Sequence, residues 1–285
     1  MASQISGIVS RLAPTPSGFL HLGNCFNFLL TAAIVQQQNG ILRLRIDDMD
    51  AARVRADYIA DIFDTLHWLG ITWQEGPADS TEQTDRFSQQ LRLPRYREIL
   101  QQLVDTGNVF ACQCSRKDIQ EGSQDGQYPG TCRTMNIPLD TPGCAWRLVT
   151  PTTSIVTFED VLLGTVSMDV AVHNRDFIIR RRDGLPAYQV TSLADDIDFG
   201  INTIVRGQDL LNSTAAQLFL AKTLNQPFLS QGTFYHHPLV LDREQHKLSK
   251  SAASQSVISM RQSGMPASEI IDYFKQWCAA NGIAF

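Results

Sequence analysis

The chain has 285 residues, and 24 Lys plus Arg against 29 Asp plus Glu give a formal net charge of −5. With 43% apolar and 19% charged residues, global disorder is excluded, because burial of that much apolar surface offsets the entropy of ordering the chain. The acidic balance excludes indiscriminate coating of nucleic acid, though not a local basic groove, and apolar runs such as Phe26 to Val35 fall far short of the ~20 residues that span a bilayer.

The length fits one large or two modest domains. The opening MASQISGIVSRLAP has no basic start before a long apolar stretch, so no secretory signal is expected. Six cysteines, Cys25, Cys112, Cys114, Cys132, Cys144 and Cys278, are too few for a disulfide scaffold of this length. The expected compartment is therefore a reducing cytoplasm.

Ile8 to Leu12 reads as a short strand. It runs into Ala-Pro-Thr-Pro-Ser-Gly, a loop stiffened by two prolines. From Leu22 the apolar residues Phe26, Leu29, Leu30, Ala33 and Ile34 recur at helical spacing, and Asn39-Gly40 predicts the helix end. Ile41 to Ile46 alternates as a strand does. Ile59, Ile62, Phe63, Leu66 and Leu69 predict a helix over 57–69 that stops at Gly70. Strand, loop, helix, strand, helix is an α/β pattern with a parallel sheet. Tyr96 to Val104 is predicted helical. Phe110 to Gly143 is rich in Cys, Gly, Asp and Gln and has little periodicity, whereas 145–172 alternates in runs such as 154–158 and 164–168, predicting an antiparallel unit. Strand-like segments return at 176–180 and 202–205. A helix capped by Asn212 or Ser213 covers 213–224, a β-like run covers 231–241, a polar loop covers 242–251, and an amphipathic helix covers 266–278. The expected organisation is a first catalytic half over 1–109, a small α+β insertion over 110–172, a second half over 173–241, and a loop with a helical C-terminal segment over 242–285.

Two loops carry candidate chemistry. Pro14-Thr15-Pro16-Ser17-Gly18-Phe19-Leu20-His21-Leu22-Gly23-Asn24 follows a strand and opens a helix. A helix N-terminus offers N–H groups and partial positive charge to an anion. Gly18 and Gly23 would let a phosphate approach, and His21 could donate to its oxygen. Far downstream, His246-Lys247-Leu248-Ser249-Lys250-Ser251 is a cationic loop suited to clamping the outer phosphates of a nucleotide. Taken singly, the first reads equally as a Pro/Gly loop with a capping histidine and the second as a solvated basic turn.

Together, P-x-P-S-G-x-L-H-x-G-N and K-L-S-K-S resemble the two signature motifs of class I aminoacyl-tRNA synthetases, with a Rossmann-like pattern between them. Arg11-Leu12-Ala13-Pro14-Thr15-Pro16-Ser17-Gly18, Leu44-Arg45-Ile46-Asp47-Asp48-Met49-Asp50 and Val205-Arg206-Gly207-Gln208-Asp209-Leu210 resemble glutamyl-tRNA synthetases. Tyr188 falls where that family has a substrate-contacting tyrosine. The resemblance runs from about Ile8 to Ser251, and the chain ends 285 − 251 = 34 residues later. That is too short for the anticodon-binding region of a full synthetase. A short chain of this kind resembles the glutamyl-Q tRNA(Asp) synthetase family.

That resemblance implies an enzyme activating L-glutamate with ATP and Mg²⁺, without needing tRNA. It would transfer the glutamyl group to the queuosine base of tRNA(Asp), as a monomer with no membrane partner. It implies Arg11, Thr15, Asp47, Tyr188 and Arg206 at the glutamate, and His21, Gly23 and Asn24 at the ATP. Lys247 and Lys250 would hold the departing pyrophosphate. Asp47 stands where the family usually has glutamate. On the residues alone, Arg206 also reads as a surface ion pair with Asp209, and Asp47 as a strand-end carboxylate paired to Arg45. Cys112, Cys114, Tyr128 and Cys132 resemble the family's structural zinc site. Three thiolates and a phenolate can complete a tetrahedral Zn²⁺ shell, and Cys144 is the alternative fourth ligand. Arg175, Arg180, Arg181 and Arg182 against Asp176 and Asp183 leave a local excess of 4 − 2 = +2. That patch would meet RNA phosphates or form a solvated strand face. Competing expectations are a truncated enzyme charging a tRNA 3′ end, a small-molecule ligase of the same class, and an inactive RNA-binding paralogue.

Overall fold

The computed structural model describes residues 7–226, 232–240 and 256–284. β1 (Val9–Leu12) is followed by α1 (Leu22–Gln37) and β2 (Ile41–Leu44), which pairs parallel with β1 from Val9↔Ile41 to Leu12↔Leu44. The predicted Asn39-Gly40 end is reached by a division of labour. Asn39 takes a left-handed φ of 49°. Gly40 is required for closeness, since a Cβ there would lie 2.6 Å from the Ile8 carbonyl oxygen. α2 (Ala56–Trp68) closes the first β-α-β-α unit, and Gly70 turns the chain at φ 70°.

Next come α3 (Ser80–Glu82), α4 (Leu93–Asp105), β3 (Val109–Cys112) and α5 (Arg116–Gly122). β4 (Ala145–Leu148), β5 (Ile155–Asp160), β6 (Gly164–Asp169), α6 (Val170–His173) and β7 (Ile178–Arg180) follow. β3, β4 and β7 form an antiparallel sheet that joins residues on both sides of the expected boundary at 172. β5 and β6 form the predicted hairpin, and β5 also pairs with β9 (Thr233–His237) at Asp160↔Phe234. The hairpin therefore extends the main sheet.

The last part holds α7 (Tyr188–Asp198), β8 (Thr203–Gly207), α8 (Leu211–Thr223), β9 (Thr233–His237), α9 (Val257–Gln262) and α10 (Ala267–Ala280). α8 begins at Leu211 with no side-chain cap. Asn212 and Ser213 lie inside its first turn, against the expected capping role. β8 and β9 run parallel with Arg206 opposite His236. β8 also lies beside β1, where Asn202 N–H donates to the Val9 carbonyl at 3.0 Å and the Asn202 Oδ1 accepts from Val9 N–H at 2.8 Å. The chain winds from β1 through α1 to β2 on one side and from β8 through α8 to β9 on the other. Between β1 and β8 the winding reverses, the place where parallel α/β sheets bind ligands beyond the carboxyl ends of their strands. Two apolar clusters hold the sheet, one around Leu12, Phe28, Leu44, Leu66 and Phe274 and one around Tyr96, Leu148, Phe158, Ile179 and Phe234. Among the described residues no helix is long and apolar enough to cross a membrane.

Candidate active site and metal centre

A cavity of about 260 Å³ opens at that reversal point. It is lined by Arg11 on β1 and Thr15 in the loop after it, His21, Gly23 and Asn24 at the start of α1, Tyr188 at the start of α7, and Arg206 on β8. Seven of the residues expected from the sequence thus meet in one space. Asn27, Asp209 and His237 also line it. Asn27 stands one helical turn beyond Asn24, and its Nδ2 lies 3.1 Å from the His237 Nε2.

The start of α1 is fixed from below. The Asn24 Oδ1 accepts the His21 N–H at 3.0 Å, and the buried Asp61 accepts the Leu20 N–H at 3.0 Å. The other Asp61 oxygen takes Arg261 of α9 at 2.5 Å. Ser256 pairs with His21, and Val257 N–H donates to the Leu20 carbonyl at 2.9 Å. A Cβ on Gly23 would stand 3.1 Å from the His21 imidazole, so glycine leaves the ring its place. Lys247 and Lys250 lie outside the described residues. The described residues on either side of that segment adjoin this loop: Val240 lines the cavity and Ser256 pairs with His21.

Behind the cavity lies a buried charge network. The Asp196 Oδ1 accepts the Arg11 Nε at 3.0 Å and the Arg45 Nη1 at 2.7 Å. Arg45 also donates to Asp47 from Nε at 2.6 Å and to the Ser192 hydroxyl. Asp195 accepts from Tyr96, Arg92 and Gln89. Burial would raise the Asp196 carboxyl, but Arg11, Arg45 and Arg206 outweigh it and hold the pKa below the usual value. Asp47 is pushed up to about 6 by burial, against the pull of Arg45. It does not line the cavity; its carboxylate is taken up by Arg45 and by Gln89 at 3.3 Å.

Arg206 is placed differently. It is 4% exposed, and its Nη1 donates to the Gln217 Oε1 at 3.0 Å. Among the described residues its Nε and Nη2 have no hydrogen-bond partner. Among the described residues no carboxylate lies within ion-pair distance of it, so the pair with Asp209 does not form. Burial lowers its pKa to about 10, Arg11 and Arg45 adding to the fall while Tyr188 and Asp196 oppose it; the group stays charged at neutral pH. Nε and Nη2 form one edge of the guanidinium fork, the edge that takes a carboxylate with two parallel hydrogen bonds.

The second cluster sits at the end of β3. The Sγ atoms of Cys112, Cys114 and Cys132 lie within 4.8 Å of one another, with Cys114 and Cys132 3.5 Å apart. A tetrahedral zinc with Zn–S bonds of ~2.3 Å sets its sulfurs about 3.8 Å apart, so the donor set fits that ion. Tyr128 packs in the same buried cluster, and its hydroxyl accepts the Cys132 N–H at 2.8 Å. Cys144 is buried but stands outside the group. Burial would raise the Cys112 thiol, yet Arg147 and the Cys114 N–H turn the net shift downward, toward thiolate. The four arginines expected as an RNA patch are engaged within the chain. Arg175 pairs with Asp125 at 2.8 Å, Arg182 donates to the Gln113 carbonyl, Arg181 pairs with Asp183 at 2.6 Å, and Arg180 lies over the Trp146 ring at 4.6 Å.

Asp195, Asp196 and Gln217 were not singled out from sequence. A signal existed. Arg11 and Arg206 sit within apolar strands and Arg45 directly follows one, and a buried guanidinium demands a buried acceptor.

A parallel sheet with a histidine-bearing helix start and two buried guanidiniums at its reversal point is the architecture of a class I synthetase-type ligase. The family model described as tRNA synthetases class I (E and Q), catalytic domain, matches residues 7–279. The chain belongs to that family. It is 35% identical to a glutamyl-Q tRNA(Asp) synthetase of Nitratidesulfovibrio vulgaris, over 93% of this chain and 85% of that one. It is 32% identical to a glutamate–tRNA ligase of Geotalea uraniireducens, over 92% of this chain. The chain spans only 55% of that relative's length. In fold it matches a glutamate-tRNA synthetase structure from Elizabethkingia anophelis with a TM-score of 0.73 at 24% identity, covering 86% of this chain and 53% of that one.

Proposed function

We propose that the protein activates L-glutamate with ATP, without requiring tRNA, and passes the glutamyl group to the queuosine base of tRNA(Asp). The observation that carries the glutamate reading is the unpaired edge of Arg206, a buried cavity-lining cation whose Nε and Nη2 have no acceptor among the described residues. That edge takes the side-chain carboxylate of glutamate, with Tyr188 and Thr15 beside it. Arg11 lines the same cavity but is held by Asp196. Asp47 acts at one remove, by holding Arg45 against Asp196.

In the first step an α-carboxylate oxygen attacks the α-phosphorus of ATP, supplied as its Mg²⁺ complex. The new O–P bond forms as the bond to the bridging oxygen breaks, and pyrophosphate leaves. No covalent enzyme intermediate is needed, so the protein contributes position and charge. His21, Gly23 and Asn24 hold the nucleotide at the start of α1. Lys247 and Lys250 meet the leaving pyrophosphate; the support is that, on either side of their segment, Val240 stands beside Gly23 and Ser256 pairs with His21. In the second step a hydroxyl of the queuosine ring attacks the adenylate carbonyl and AMP leaves.

Cys112, Cys114, Cys132 and Tyr128 hold a zinc ion, which when bound supplies a cross-link for a segment with little apolar core of its own. The protein acts as a monomer in the cytoplasm. The queuosine acceptor is supported by the 85% coverage of the glutamyl-Q relative. The similar identity to glutamate–tRNA ligases favours, as a second reading, charging of a tRNA 3′ end.

One experiment separates the two. Labelled glutamate is offered with tRNA from a normal strain and from one lacking queuosine, and the tRNA is cut to separate the anticodon fragment from the 3′ end. Label in the anticodon fragment, only when queuosine is present, is the expected result. Label at the 3′ end in both tRNAs supports charging instead, and no label on either removes both readings.

A further inference from the structure

We propose that Gln217 determines the preference of this pocket for a carboxylate: a neutral amide fixes the Arg206 guanidinium in place and leaves its charge to the substrate. The inference rests on the reading of the cavity as the glutamate site.

The three inward arginines are held in two ways. Arg11 and Arg45 share Asp196, and Arg45 also takes Asp47, so their charge is answered within the protein. Arg206 has an amide oxygen as its hydrogen-bond partner. Gln217 is 2% exposed, and its Nε2 has no partner among the described residues. An arginine only donates, so the amide must turn its oxygen to Arg206 and leave its own N–H₂ unpaired, at a cost in stability. A glutamate of the same size would offer Arg206 a charged acceptor and carry no N–H₂ to leave unpaired. It would also give Arg206 a resident counter-ion and close the cation to an incoming carboxylate. The amide is therefore the choice that stability alone does not explain.

The surroundings keep the arrangement rigid. Gln217 stands one turn after Thr214 on α8, and Thr214 Oγ1 lies 2.7 Å from the His236 Nε2. His236 faces Arg206 across the β8–β9 pair. Its Nδ1 lies 2.6 Å from Asp160 of the β5–β6 hairpin. Two neighbouring strand residues are thus gripped by two side chains of one helix face.

The test is ATP–pyrophosphate exchange by the full chain, with KM and kcat measured for glutamate and for glutamine. Gln217→Glu is compared with Gln217→Met, which is apolar and of similar volume. The wild type is expected to prefer glutamate. In Gln217→Glu the glutamate KM rises about tenfold or more, the loss expected when a charge-assisted hydrogen bond is neutralised. The glutamate-to-glutamine ratio falls by a similar factor, and the KM for ATP is unchanged. In Gln217→Met the guanidinium loses its fixing acceptor and the glutamate KM rises, but the ratio falls less than in Gln217→Glu because no competing charge is introduced. Equal effects of the two substitutions, or an unchanged ratio in Gln217→Glu, would overturn the role of Gln217. Should Gln217→Glu not fold, Gln217→Asp against Gln217→Asn carries the same contrast of charge at equal size. A wild type that exchanges with glutamine as readily as with glutamate also overturns it. A wild type that exchanges with neither amino acid removes the glutamate reading itself, a failure visible before any variant is made.

Discussion

The strands that present Arg11 and Arg206 are embedded in two large apolar clusters drawn from most of the chain. Residues 112–144, by contrast, enclose a buried cluster of Cys112, Tyr128 and Cys132 alone, with Phe110, Cys114, Ile119 and Ile137 partly buried around it. Outside that cluster the segment is tied to the body by polar contacts, Arg175 to Asp125, Arg182 to the Gln113 carbonyl and Arg133 to the Thr150 carbonyl at 3.2 Å. Burial in the first region is extensive enough to hold charged groups out of water in fixed positions. The second region has no such reserve, and on the proposed zinc reading thiolate coordination takes the place of a core. The pocket's geometry should therefore survive changes that loosen the cysteine segment, and the reverse should hold as well.

The largest effect is expected at the pocket itself. Arg206→Lys keeps a positive charge but loses the two-point fork, so kcat/KM for glutamate in exchange should fall ~100-fold or more, as loss of two charge-assisted hydrogen bonds implies. A thermal melt should move little, and the metal content should not change. A second blow to the same region strikes its support. Asp61→Ala leaves the Leu20 N–H and Arg261 without their shared acceptor and should cost about 3 kcal/mol, the scale for breaking a buried ion pair. The KM for ATP should rise with it, because the His21 loop loses its footing.

The converse disturbance is milder. Cys114→Ser should lower bound zinc and expose residues 113–143 to proteases. Global stability should drop by about 2 kcal/mol, and α1 and β8 should stay protected in hydrogen exchange. Deprotection of α1 together with the cysteine segment would show that the two regions are one cooperative unit. The smallest effect is a pH signature. Burial, with Arg206 and Arg11, holds the His236 pKa below its ordinary 6.5 in spite of Asp160. The unfolded chain therefore takes up the proton first, so stability is full above about 6.5 and is lost as pH falls below it. His236→Asn should flatten the acid side of the melting curve between pH 6.5 and the lowered value.

The same contrast governs what could be read from residues alone. Helices with clear apolar spacing, such as Leu22–Gln37 and Ala56–Trp68, were legible within a residue or two. The meeting of Arg11, Thr15, His21, Asn24, Tyr188 and Arg206 in one cavity was expected only through the family resemblance, because the residues alone left Arg206 equally readable as a surface ion pair. The cysteine triad was legible by spacing, and packing separates Tyr128 from Cys144 as its neighbour. What stayed hidden is what depends on pairing across the sheet. Asp195 and Asp196 read as one polar patch of a helix, and only the fold carries Asp196 onto two arginines more than a hundred residues away. Asp47 was placed in the site by resemblance, and its short side chain lies instead on Arg45.

The most direct test of the central claim is ATP–pyrophosphate exchange by the intact chain in the absence of tRNA, with each amino acid offered in turn. The pocket described here predicts exchange with L-glutamate, strongly reduced exchange with glutamine, and near-complete loss in Arg206→Lys. Exchange absent with glutamate, or equal for glutamate and glutamine, would contradict it.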